Sequence, residues 1–272
     1  MTTNPRPRLL LMGCGAVGGV IAGGLLRAGH DLTIVTHNEK IQQALASEGL
    51  RLTTPDGTWA VEVGDRAHLT PAETRGPFDA ALLAMKATDI EAAAQNAAET
   101  LAPDGYVVTL QNGIVEDRVA ESVGCERVIG ALVGWGATMH GPGVYEMTSQ
   151  GETVIGELDG TLTPRVRALR EILSAATATT VSTNLYGALW SKLAINCVVT
   201  TLGAVTGQLL GEMLIRAEVR RLALAIVSEV VDVAEAGDVV LEAVGGTLDI
   251  HRLYLPPERR GGGFAPDKIL KH

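Results

Sequence analysis

The segment Gly13-Cys14-Gly15-Ala16-Val17-Gly18 constrains this chain more than any other, because its G-x-G-x-x-G spacing follows an apolar run and opens a helical one. Residues 8–12 read as a strand and residues 16–28 as a helix that Gly29 can end in the left-handed conformation. Residues 32–36 read as a second strand, and a strand–helix–strand unit of this kind is the right-handed crossover that parallel strands need. In that context Gly13 permits the tight turn, Gly15 lets the backbone approach a pyrophosphate, and Gly18 lets the helix pack closely on the strand. The helix N-terminus, with Cys14, Ala16 and Val17 between the glycines, offers N–H groups and a partial positive charge to phosphates. The motif therefore predicts a dinucleotide site. Gly19, Gly23 and Gly24 need not touch the nucleotide and are read as allowing close helix–sheet contact.

The same texture recurs downstream. Residues 78–85 are an apolar run of buried-strand type, interrupted only by Asp79, and Thr88-Asp89 is placed to cap an alanine-rich helix that ends near Leu101. Pro103-Asp104-Gly105 predicts a turn before a strand at 106–110, followed by a helix at 116–123 and a strand at 127–133. Glycines 134, 136, 141, 143 and 151 then interrupt short β-prone pieces, which predicts antiparallel hairpins closing the edge of the sheet, with Trp135 and Tyr145 packed beneath them. A helix at 164–174 and a short strand at 179–182 complete an α/β Rossmann-type, doubly wound domain over residues 1–183. Residues 184–272 carry almost no strand signal. Helices at 185–199 and 212–236, broken around 203–207, make this an all-helical C-terminal domain; the tail at 256–263 reads as a loop and 265–272 as the first turn of a further helix.

Composition narrows the function classes. Thirty-one acidic against twenty-two basic residues give a net charge of −9 with no basic block, which excludes nucleic acid as the expected partner. Cys14, Cys125 and Cys197 are widely spaced, with no C-x-x-C pair and no histidine pair at metal spacing, so no metal is expected and the thiols read as reduced ones of a cytoplasmic protein. Glycines interrupt the apolar opening and argue against a secretory leader. The apolar stretch 222–241 carries Glu229, Asp232, Glu235 and Asp238, so it reads as an amphipathic helix and no membrane partner is expected. Its apolar face is core, and any excess of it offers a homodimer surface.

The residues after the second strand decide which nicotinamide nucleotide fits. Thr36, His37 and Asn38 stand where an acidic residue would accept from the ribose of NAD, and all three can donate to a 2′-phosphate, which favours NADP. Lys86, at the end of the strand beginning at Phe78, adds positive charge on the ligand-binding edge. In the second domain, Lys192 and Asn196 share one face of an otherwise apolar helix, Trp190-Ser191-Lys192-Leu193-Ala194-Ile195-Asn196-Cys197. A lysine in such surroundings needs a partner or a task, the plain alternative being a side chain that snorkels to water.

Taken together, the glycine motif, Lys86, Gln111-Asn112-Gly113 and the 190–197 helix resemble, in order and approximate spacing, the ketopantoate reductases, or 2-dehydropantoate 2-reductases. The resemblance runs over essentially the whole chain and implies NADPH-dependent reduction of a 2-oxo acid to a 2-hydroxy acid, in a cleft between the two domains. It implies Lys192 as general acid, Asn196 as a substrate-binding partner, Asn112 beside nicotinamide and substrate, and Lys86 and His37 at the cofactor. Three departures stand out. His37 occupies a position where the family commonly has arginine; Thr200 stands where a second asparagine is common, leaving the substrate only a hydroxyl; and the family's C-terminal segment, with a serine pair and a substrate-binding glutamate, has no counterpart before His272. Two other readings keep the fold: a reductase of a different 2-oxo acid, and a catalytically silent NADP(H)-binding regulatory protein.

Overall fold

The computed structural model describes residues 6–243, 248–256 and 258, so the expectations for the tail beyond these lie outside the described residues. The chain divides into two units between Leu185 and Tyr186. The first is built on an eight-stranded sheet. Its strands β1 (Arg8–Met12) and β2 (Asp31–Val35) flank the helix α1 (Ala16–Arg27), as the glycine motif predicts. Asn38 then caps α2 (Glu39–Ser47), its Oδ1 accepting from Lys40 N and Ile41 N, and a short β5 (Ala67–His68) pairs with β2. On the other side of β1 come β6 (Phe78–Leu83), β7 (Leu101–Thr109) and β8 (Val128–Val133). These six strands are parallel in the order β8-β7-β6-β1-β2-β5, so the chain winds outward from β1 in both directions, the doubly wound arrangement with its topological switch at β1.

Alternation along β1 accounts for the two layers. Leu9 and Leu11 face a core shared with α1, α2 and α5 (Pro164–Leu173), whereas Leu10 and Met12 face one shared with α3 (Ile90–Ala98) and α4 (Glu116–Val123).

Several local expectations are corrected. Thr88 and Asp89 make no side-chain cap on α3; the Thr88 hydroxyl donates to the Asp89 carboxylate instead, 3.1 Å away. Pro103-Asp104-Gly105 does not separate two elements but lies inside β7, where the register jumps from Phe78↔Leu101 to Ala80↔Tyr106, an outward bulge that absorbs the proline. The glycine-rich stretch divides between two sheets. β11 (Thr153–Glu157) joins the main sheet antiparallel to β8, and β12 (Thr179–Val181) follows it. The hairpin of β9 (Gly136–Gly141) and β10 (Val144–Ser149) instead forms a separate four-stranded sheet with β3 (Leu50–Thr54) and β4 (Gly57–Val61), in the order β4-β3-β10-β9. That small sheet packs on α1, so the helix has a sheet on each side and every residue from Gly18 to Leu26 is buried.

The second unit carries α6 (Leu185–Thr206), α7 (Leu210–Ile215) and α8 (Ala217–Ala236). The expected break at 203–207 is narrower, because Gly203 stays helical and only Gly207, at φ +66°, ends α6; the expected 212–236 helix is itself interrupted at Arg216, which is extended. Ala194, Val198 and Leu202 of α6 pack with Met213, Leu224, Val227 and Val231. α6 is long and apolar enough to cross a membrane by length and composition.

Candidate active site

Each glycine of the first turn has a physical reason that the coordinates make explicit. Gly13 sits at φ +94°, and a Cβ there would lie 2.7 Å from Met85 N. A Cβ on Gly18 would lie 2.1 Å from the Gly13 carbonyl oxygen, so the first turn of α1 rests directly on the bend before it. At Gly15 a Cβ would meet nothing within 4 Å: the space is open where the fingerprint requires a phosphate to approach. No acidic side chain and no side-chain cap occupies the first turn of α1, whose leading N–H groups have no partner within the helix. The turn thus presents donors and the positive end of a helix dipole to an open cradle, which fits a pyrophosphate. Cys14, by contrast, turns its thiol inward, and burial pushes its pKa up to about 11.

The expected nucleotide contacts gather along the same edge. His37, Lys86 and Asn112 follow the C-terminal ends of β2, β6 and β7, of which β2 and β6 flank β1 and β7 lies next to β6, and all three are exposed. The three donors foreseen after β2 are not equivalent. Thr36 is buried with its Oγ1 3.4 Å from Asn38 N, and the Asn38 oxygen is committed to capping α2, leaving His37 as the exposed side chain free of a capping duty.

Two residues of this edge carry no expectation from sequence alone. Buried Gln111 donates from Nε2 to Leu83 O (2.8 Å) and Met85 O (3.1 Å), while its Oε1 accepts from Leu110 N (3.0 Å), tying the Lys86 loop to the Asn112 loop. Glu116, with no exposed surface, accepts from the Thr109 hydroxyl (2.8 Å) and Val115 N (2.9 Å), closing the loop that holds Asn112; burial raises its pKa. Their only signal is a polar side chain beside a strand end, which does not separate a buried clamp from a solvated loop residue.

In the second unit Lys192, Asn196 and Thr200 recur every four residues along α6, roughly 200° around the helix from the core stripe Ala194, Val198 and Leu202. Lys192 is nonetheless largely desolvated, and burial lowers its ammonium from the ordinary lysine value of 10.5 to about 8. Thr200 donates its hydroxyl back to the Asn196 carbonyl at 2.6 Å, so its proton is committed to the helix. Two groups of candidate residues result: the glycine turn with His37, Lys86 and Asn112 in the first unit, and Lys192, Asn196 and Thr200 in the second.

Comparison with known proteins places both groups within one family. Residues 9–160 match the family described as ketopantoate reductase PanE/ApbA, and residues 184–251 match its C-terminal domain. Among curated relatives, 2-dehydropantoate 2-reductase of Pyrococcus horikoshii is 28% identical over 200 residues, covering 73% of this chain and 64% of that protein. The chain thus spans somewhat less than two thirds of that relative's length. The enzyme of the same name from Archaeoglobus fulgidus is 25% identical, over 82% of this chain and 72% of its own. Of solved structures, the PanE/ApbA family ketopantoate reductase from Ralstonia eutropha is 32% identical with a TM-score of 0.79, covering 90% of this chain and 80% of that one. D-mandelate dehydrogenase, solved with NADH and anilino(oxo)acetate, shares the fold at a TM-score of 0.79 and 20% identity, over 90% of this chain and 77% of its own. A doubly wound sheet opened by a phosphate-type glycine turn, a helical unit with a desolvated lysine, and a family match across both units lead to one assignment: the chain belongs to the ketopantoate reductase family.

Proposed function

We propose that the protein reduces a 2-oxo acid to a 2-hydroxy acid with NADPH, with 2-dehydropantoate as substrate and pantoate as product, in the cytoplasm. The observation that carries this reading is Lys192, an ammonium desolvated to a pKa of about 8 with Asn196 one turn on, inside a stretch that matches the family's C-terminal domain. Bound NADPH supplies the hydride. The glycine turn holds its pyrophosphate through backbone N–H groups, and His37 and Lys86 favour the 2′-phosphate. As negative charge builds on the carbonyl oxygen of the substrate, Lys192 stabilises it and then donates the proton. Asn196 and Asn112 orient the substrate, the latter on a loop braced by Gln111 and Glu116.

A second reading, the same chemistry on another 2-oxo acid, is favoured by Thr200, whose hydroxyl proton is spent on the helix backbone where an amide would contact substrate. The likeness in fold to D-mandelate dehydrogenase is compatible with either. The test is NADPH absorbance loss with 2-dehydropantoate, with a panel of other 2-oxo acids, and with NADH in place of NADPH. Lys192→Ala is expected to lower kcat by about a hundredfold or more. Turnover preferring another oxo acid selects the second reading; nucleotide binding without turnover on any of them refutes the reductase and leaves a binding protein.

A further inference from the structure

We propose that Tyr145, reaching from the small β-sheet, is a positioning residue that sets the orientation of the phosphate-binding turn; the inference rests on the reading of that turn as the NADPH site. Tyr145 lies on β10, 131 residues from the turn, and has no exposed surface. Its hydroxyl donates to the Cys14 carbonyl oxygen at 2.9 Å and lies 3.3 Å from the Cys14 sulfur. Burial raises the phenol's pKa, so the group stays a donor.

The consequence follows from peptide geometry. The Cys14 carbonyl and the Gly15 N–H belong to one planar trans unit and point in opposite directions. Pinning the oxygen toward Tyr145 therefore aims the Gly15 N–H the opposite way, away from the small sheet, at a turn where a Cβ on Gly15 would meet nothing within 4 Å. If the peptide turned over, it would present a carbonyl oxygen, not a donor, to an approaching pyrophosphate. Gly19 belongs to the same device. A Cβ there would lie 2.1–2.3 Å from the Tyr145 ring, so a glycine one turn into α1 is what admits the ring beneath the bend. The small sheet thereby acquires a task beyond covering α1: it holds the turn in its donor-outward form.

The test compares the wild-type chain, Tyr145→Phe, and Thr177→Val. The last removes a buried hydroxyl bonded to Thr153 Oγ1 at 2.8 Å, a matched loss remote in sequence from the turn. NADPH affinity is measured by fluorescence titration, steady-state constants by absorbance, and hydrogen exchange across residues 13–18 by mass spectrometry. Tyr145→Phe is expected to weaken NADPH binding about three- to tenfold, raise KM for NADPH in step, leave kcat at saturation within about twofold, and speed exchange at the turn. Thr177→Val should lower the melting temperature without moving NADPH affinity. The proposal is overturned if Tyr145→Phe binds NADPH like wild type, or if Thr177→Val weakens it equally. Should the wild-type chain bind no nicotinamide nucleotide, the cofactor reading fails on its own, and exchange decides the anchor: unchanged protection of residues 13–18 in Tyr145→Phe overturns it, and faster exchange confined there supports it.

Discussion

In the proposed reduction Lys192 is held in two opposed conditions: proton donation needs it charged, and burial disfavours the charge. With its pKa lowered from 10.5 to about 8, the lysine stays protonated at neutral pH yet gives up its proton more readily than an exposed one. kcat/KM for reduction is therefore expected to be flat below pH 8 and to fall as pH rises through about 8, rather than near 10. The stability consequence has the opposite sense. The folded chain binds fewer protons than the unfolded one between about pH 8 and 10.5, so stability rises across that window and is lost as pH falls through 8. Lys192→Met should abolish turnover while stabilising the fold at pH 7 by about 2 kcal/mol, and its urea midpoint should lack the rise between pH 8 and 10. The glycine turn gives a second contrast. Gly15→Ala, with open space around the new methyl group, should melt within about 1 kcal/mol of wild type and lose NADPH binding. Gly18→Ala, whose methyl group meets the Gly13 carbonyl, should cost about 2–3 kcal/mol before any ligand is added. Both lysine and glycines were legible because each breaks a local rule, a charge in an apolar run or glycines opening a helix. Gln111 and Glu116 break none, since a polar residue after a strand is ordinary until its burial is known.

At the scale of elements, α4 begins with a carboxylate that serves the loop before it. Glu116 receives two donors, the Thr109 hydroxyl and the Val115 N–H. Glu116→Gln can keep an acceptor for Val115 N only by turning its N–H₂ on the Thr109 hydroxyl, which must then accept and lose the partner of its own buried proton, a change that should cost about 1–3 kcal/mol. Because Asn112 rides on that loop, KM for the oxo acid should rise more than KM for NADPH, and steady-state kinetics on the variant measures the split. The strands β1, β2, β6, β7 and β8 of the main sheet announced themselves by apolar runs, whereas the two-residue β5 carries no such signal. The small sheet did not announce itself in this way. Its hairpin between β3 and β4 carries the signal Pro55-Asp56-Gly57 between alternating residues, but the parallel pairing of β10 with β3 joins segments some ninety positions apart and leaves no mark on either. Bulge and turn share the same residues at 103–105, so only the register of β7 distinguishes them.

For the molecule as a whole, each unit holds its own core, two layers about the large sheet in the first and one helical cluster in the second. The layering of the first unit leaves α1 without a solvent face, with nine consecutive buried residues from Gly18 to Leu26. An amphipathic helix at a protein surface accepts polar replacements on roughly half its circumference, in a rhythm of three to four residues. α1 has no such rhythm to offer. In a saturation library selected for folded protein, positions 18–26 should be depleted as an unbroken block, with charged residues excluded at every one, while α2 and α5 retain permissive positions at helical spacing. Substitutional freedom in this family member is then greatest where the chain meets water and least in the one helix that both sheets and the nucleotide turn share, so divergent sequences should remain alignable through that helix after similarity elsewhere has faded.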